Sequence, residues 1–147
     1  MTKAKLFRHV SVLITEKISH LQQDISDLQK DIAEDSKSSA GDKFETSREM
    51  AQQELQKISS QLAGQLRLKN LIESQDTETP SIIKVGTLAI TSSGVFLVGI
   101  PIGKVLFENT PVTGIGVSAP LGQLLLNKSE NDQFSFNGQS FRIEKIY

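Results

Sequence analysis

The sequence predicts an α+β protein: an N-terminal antiparallel coiled-coil hairpin of two helices, then a small, mainly antiparallel β domain with one short helix. Three observations predict it. Apolar residues in the first part recur at heptad spacing, the composition changes near residue 78, and the second part consists of short β-favouring runs separated by turn signals. Residues 1 to 78 hold no proline and only two glycines, Gly41 and Gly64, whereas the remainder holds all four prolines and eight of the ten glycines. The polar, proline-ended stretch Asp76-Thr77-Glu78-Thr79-Pro80 reads as the linker. The expected layout is a hairpin over 1–75 with its tip near 35–45, a linker over 76–80, and a β-rich domain over 81–147.

Ile14, Ile18, Leu21, Ile25, Leu28 and Ile32 advance by alternating steps of four and three, the seam of a coiled coil. Phe7 lies one heptad earlier, so the spacing predicts a first helix over about 4–34, some 45 Å long at about 1.5 Å per residue. The run Asp35-Ser36-Lys37-Ser38-Ser39-Ala40-Gly41 has no large apolar side chain and ends in a glycine that permits reversal. A second stripe follows, with Ala51, Leu55, Ile58, Leu62, Leu66 and Ile72 on one face, while Gln65 and Lys69 fall where a strict heptad wants apolar residues. Two helices of similar length joined by a polar turn should fold back on one another. A parallel coiled-coil dimer is the competing arrangement, and the turn residues argue against it.

In the second part, Ile82, Val85, Leu88 and Ile90, then Val95 to Val98, flank the turn Ser92-Ser93-Gly94 and predict a hairpin. Asn137-Gly138 between alternating segments from Phe134 to Ile143 predicts another. Between them, Pro120 opens an apolar segment through Leu126 that suits a short helix packed across the sheet.

Composition narrows the chemistry. The formal net charge of -1 and pI near 6.1 argue against a general nucleic-acid surface, which needs clustered cations in excess. With no cysteine there is neither a disulfide nor a thiolate metal site, and His9 and His20 alone make a zinc site improbable. The basic start at Lys3, Lys5 and Arg8 precedes an apolar stretch too short for a signal peptide or membrane span, so the expected location is cytoplasmic. Charge along the hairpin is uneven. From Asp24 to Glu54 nine acidic residues face only Lys30, Lys37, Lys43 and Arg48, a surplus of five negative charges at the distal end. Such a run is either a solvated helical surface or an acidic probe for a metal ion or basic channel.

Asp42 and Glu45 are the most informative positions. Asp-x-x-Glu before an amphipathic run is a capping-box-like pattern, with Asp42 accepting from first-turn amides and Glu45 reaching back. The helix dipole favours carboxylates there. Metal ligation competes with this reading, because a carboxylate committed to backbone amides has less capacity for a cation.

Two motifs resemble the Gre transcript-cleavage factors of bacterial RNA polymerase. That family's hairpin tip reads Gly-Asp-Leu-Ser-Glu, and this chain has Gly41-Asp42-Lys43-Phe44-Glu45 at a similar distance from the N-terminus. Its C-terminal signature resembles Ser-Pro-Leu-Gly-x-x-Leu-Leu-Gly-Lys. Here Ser118-Ala119-Pro120-Leu121-Gly122-Gln123-Leu124-Leu125-Leu126-Asn127-Lys128 is similar, with one residue inserted after the serine and Asn127 in place of the later glycine. The resemblance implies an FKBP-like β domain that grips the rim of the polymerase secondary channel through Ser118, Pro120, Leu121, Gly122 and Lys128. It also implies a hairpin that passes down the channel. Asp42 and Glu45 would then help hold a Mg²⁺ shared with the polymerase. The chain would have no cofactor of its own, stably bind no metal when free, and be no enzyme by itself. The partner implied is RNA polymerase, with indirect contact to the nascent RNA 3′ end, no membrane, and a monomeric state.

Departures from the family pattern bear on the tip. Lys43-Phe44 replaces Leu-Ser, and Thr46-Ser47-Arg48-Glu49 follows where the family commonly continues Asn-Ala-Glu-Tyr. Lys43 and Arg48 are candidate contacts to RNA or to polymerase carboxylates, or else surface ion-pair partners of Glu49 and Asp42. Phe44 is a candidate contact for the channel wall or the RNA end, or folds back on the hairpin. Three functions follow: a transcript-cleavage factor, a non-cleaving secondary-channel regulator of the same shape, and an unrelated coiled-coil adaptor. Prolyl isomerase activity is not implied by an FKBP-like fold.

Overall fold

A computed structural model describes residues 2–35 and 41–147; for Asp35 and residues 41–44 it describes the backbone alone. The order of elements is α1 (Lys3–Asp35), α2 (Gly41–Glu73), β1 (Leu88–Thr91), β2 (Gly94–Val98), β3 (Gly103–Phe107), β4 (Thr110–Ile115), α3 (Pro120–Leu125), β5 (Gln133–Phe136) and β6 (Gln139–Ile146). The turn expected over 35–41 falls on residues 36–40, which lie outside the described residues. The chain divides into two compact units, one formed by residues 1–12 with 70–147 and the other by 13–69.

Residues 13–69 form the two-helix unit. Ile14 and Ile18 are buried, and Leu21, Ile25, Leu28 and Ile32 are half-buried, so the heptad stripe of α1 is the packed face. On α2 the half-buried positions include Ala51, Leu55, Ile58, Leu62, Gln65 and Lys69, with Gly64, Leu68 and Leu71 half-buried beside them. The steps of four and three from Ala51 to Lys69 are those of a strict heptad. Leu66, expected in the seam, is 43% exposed, and the polar Gln65 takes the seam position instead. The sequence reading followed the leucine, whereas the helix obeys its period.

Residues 70–147 with 1–12 form the β unit. Its six-stranded sheet has the order β3-β4-β2-β1-β6-β5. Four of the five pairings are antiparallel, and β2 with β4 is parallel. The β1–β2 hairpin turns at Ser92-Ser93 as expected. The β5–β6 hairpin turns at Asn137-Gly138, both with positive φ (52° and 76°), as a two-residue primed turn requires. The β3–β4 hairpin was not anticipated. Its turn is Glu108-Asn109, with φ of 49° and 62°, and only Asn109 there carries a turn signal. Ile82 and Val85, expected in the first strand, lie ahead of β1 in a loop and are exposed.

Alternation along the strands gives the sheet two apolar faces. One carries Ala89, Phe96, Val98, Phe141, Ile143 and Ile146, which cluster with Ile83 and with Leu125 of α3. Phe141 and Ile143 are two apart, but Ile146 joins them because the register of β1 with β6 shifts between Ile90 and Thr91. The other face carries Leu88, Leu97 and Val112, all fully buried. Helix ends cover it: Leu6, Phe7 and Val10 of α1 and Ile72 of α2 are buried, and the His9 ring lies 5.3 Å from that of Phe107. Phe7 was expected to be apolar seam; Leu6 and Val10 bury more completely because this part of α1 meets a broad sheet surface.

Replacing Gln65 with leucine should extend the apolar seam and stabilise the chain by about 1 kcal/mol. In contrast, Leu66→Gln should shift stability by no more than about 0.5 kcal/mol. Urea unfolding of both variants checks the assignment, which a stabilisation by neither and a large loss at Leu66 would reverse.

Candidate functional site

The acidic motif sits at the start of α2. The helix begins at Gly41, so Asp42 lies inside its first turn and Glu45 follows one turn later. Capping by the Asp42 carboxylate, and the placement of the Lys43 and Phe44 side chains, lie outside the described residues. Glu45, Arg48 and Glu49 are exposed, and among the described residues no ion pair joins them. Two carboxylate positions three residues apart on a helix come within one turn of each other. Among the described residues no three His, Asp or Glu side chains come together as a metal site.

The second candidate segment is built into the β unit. Ser118 is exposed in the turn before α3, and Pro120 occupies the first helical turn, where its missing N–H costs nothing. Ala119 precedes it in extended conformation with no side-chain cap, and its N–H donates to Gly116 O at 3.2 Å. Leu121 is half-buried against the aromatic side of the core, and Leu125 is fully buried. Gly122 is buried, and a Cβ there would overlap the Gly116 carbonyl oxygen. This is a close approach only glycine permits.

Asn127 has φ 67°, the left-handed conformation that glycine and asparagine adopt most readily. Its departure from the Gre-like pattern is therefore conformationally conservative. Its N–H donates to Ile83 O at 2.9 Å, and Ile83 N–H donates to Lys128 O at 2.8 Å, tying the end of α3 to the strand approach. Lys128 itself is half-buried, with Nζ 5.6 Å from the centre of the Phe134 ring. Of the five phenylalanines after residue 80, Phe96, Phe107 and Phe141 are buried, and Phe134 and Phe136 are half-buried against Phe141. Leu121, Gly122, Asn127 and the Lys128 backbone thus have structural duties, while Ser118, Pro120 and the Lys128 ammonium face outward or along the surface.

Two polar contacts of the helix ends were not legible beforehand. Lys3 is buried, and its Nζ donates to Glu78 O at 2.7 Å. Burial pushes the Lys3 ammonium below its usual pKa, Asp76 works in the opposite direction, and Lys84 adds to the lowering. His9, to which the sequence assigned nothing, places Nε2 3.0 Å from Leu106 O. A carbonyl only accepts, so Nε2 carries the hydrogen. Neither residue stands in a motif, and no sequence pattern announces a buried lysine that caps a linker carbonyl.

No protein-family model matches the chain, and no curated protein does. Among solved structures, one described as the structure of the transcription factor Gfh1 aligns over 93% of this chain and 92% of that one, at 16% identity and a TM-score of 0.37. Likeness at that level carries no argument for function. No helix among the described residues is long and apolar enough to cross a membrane.

Gly122→Ala should destabilise the chain by about 3 kcal/mol or more, because backbone rather than a flexible side chain must yield. Asn127→Gly should change stability by less than about 1 kcal/mol. Thermal unfolding of the two variants measures both, and a tolerated alanine at 122 would refute the close packing of α3 on the β4 exit.

Proposed function

We propose that the chain is a Gre-like factor that binds RNA polymerase through its secondary channel and stimulates cleavage of backtracked RNA. The observation that carries the reading is the placement of Gly41-Asp42-Lys43-Phe44-Glu45 at the opening of α2, the second of two 33-residue helices. Each such helix is about 50 Å long, long enough to carry an acidic end down a narrow channel. The distal surplus of five negative charges suits approach to cations held by a partner. The Ser118–Lys128 segment gives the β unit a rigid exposed corner at Ser118 and Pro120, from which docking on a channel rim could proceed.

Carboxylates at positions 42 and 45 fit a hard cation, since Mg²⁺ takes oxygen ligands in near-octahedral geometry. Two carboxylates are fewer than that geometry demands, so the polymerase and water would supply the others. Magnesium held there supplies Lewis-acid charge stabilisation for phosphodiester hydrolysis. Asp42 and Glu45 would each contribute an oxygen and orient the site. Lys43 and Arg48 would counter the charge of the RNA backbone, and Phe44 would contact the channel wall or the RNA end. The chain acts on the polymerase's own nuclease activity and has no enzymatic activity by itself. The altered tip, with Lys43, Phe44 and Arg48, supports a second reading in which the same shape occludes or remodels the channel without cleavage.

In a stalled elongation complex with the cognate polymerase and Mg²⁺, wild type should shorten the transcript. Asp42→Asn/Glu45→Gln should bind equally well yet lose cleavage by about 10²-fold or more. Binding without shortening by wild type would establish the non-cleaving regulator. Absence of binding would remove the polymerase reading altogether.

A further inference from the structure

The first 15 residues contain Lys3, Lys5 and Arg8 and no acidic residue. Lys3 turns inward to Glu78 O, but Lys5 and Arg8 are exposed, and among the described residues neither side chain has an ion-pair or hydrogen-bond partner. Lys5, Arg8, His9 and Val12 follow one another at helical spacing on α1 and line a single groove of about 360 Å³. Val12 is 52% exposed, a bare apolar side chain beside two free cations. The groove is firm along one side, because the His9 ring is fixed by Leu106 O and by the Phe107 ring. Local helix physics does not account for these charges. Lys5 lies in the first turn of α1, where the macrodipole disfavours cations and the helix has no acidic residue.

We propose that this groove is a docking surface for an acidic, amphipathic segment of a partner protein, with carboxylates pairing to Lys5 and Arg8 and an apolar side chain covering Val12. Charge complementarity selects the acid, and Val12 selects an amphipathic segment over a purely polar one. A nucleic acid fits less well: affinity for phosphate grows with the number of cations engaged, and this face offers two free ones on a chain of net charge -1. Val12 also gives bases no stacking platform. The surface shares no residue with the acidic motif or with the Ser118–Lys128 segment, and it does not depend on the polymerase reading.

The test is an NMR titration of the full chain with a synthetic helical peptide carrying glutamate and leucine on one face. A lysine-for-glutamate version and a short RNA serve as competitors. The acidic peptide should shift amides of residues 3–13, and raised salt should weaken it. Lys5→Glu/Arg8→Glu should lower affinity by about tenfold or more with no loss of thermal stability. Val12→Ser, which leaves the charges intact, should also weaken binding. Unchanged affinity in either variant would overturn the proposal, as would tighter binding of RNA at the same amides. Self-association abolished by the double charge reversal would also overturn it, making a second copy the occupant.

Discussion

A six-stranded sheet with two apolar faces needs two covers, and in this chain one of them is made from helix ends. Burying Leu88, Leu97 and Val112 is worth about 1.5–3 kcal/mol each, and that gain is realised only where Leu6, Phe7, Val10 and Ile72 close over the sheet. The same contact explains why residues 3–12 and 70–73 cluster with the β unit although they are helical. It also explains the polar fastenings there. Lys3 gives up bulk solvent for the Glu78 carbonyl, and His9 satisfies Leu106 O on the edge strand β3. An edge strand with one outward carbonyl so occupied is less open to pairing with another chain.

On the opposite face the demands fall on backbone geometry. The single turn and a half of α3 buries Leu125 only because Gly122 lets it approach the Gly116 carbonyl, and the chain leaves the helix only through the left-handed Asn127. Much of the segment that resembles the Gre signature is therefore required by folding alone. Its value for function lies in what that geometry holds outward, Ser118 and Pro120, on a support that cannot shift by small repacking.

Legibility followed the physics of each element. The α1 seam was readable because its heptad positions from Ile14 to Ile32 are all apolar, and α1 spans Lys3–Asp35 against an expected 4–34. The α2 seam was harder, because Gln65 and Lys69 occupy it while Leu66 is exposed, so hydrophobicity and period disagree. Hairpins with a glycine in or directly after the turn were readable, and the Glu108-Asn109 hairpin was not, because glutamate rarely adopts positive φ. The parallel pairing of β2 with β4 depends on long-range packing that no local pattern encodes. Of the candidate site residues, the sequence pointed to Ser118, Pro120, Leu121, Gly122 and Lys128 as one group, and the structure brings them together around α3. It could not separate those that hold the fold from those free to bind, because that distinction rests on burial.

The reading as a polymerase factor stands or falls on where the start of α2 lies in the complex. A photo-crosslinking side chain introduced at Phe44, irradiated in a backtracked elongation complex, reports that position directly. Entry through the secondary channel predicts adducts with the RNA 3′ end and with polymerase segments at the active centre. Adducts confined to the outer surface of the polymerase, or a bound protein whose position 44 reaches no part of the channel, would contradict it.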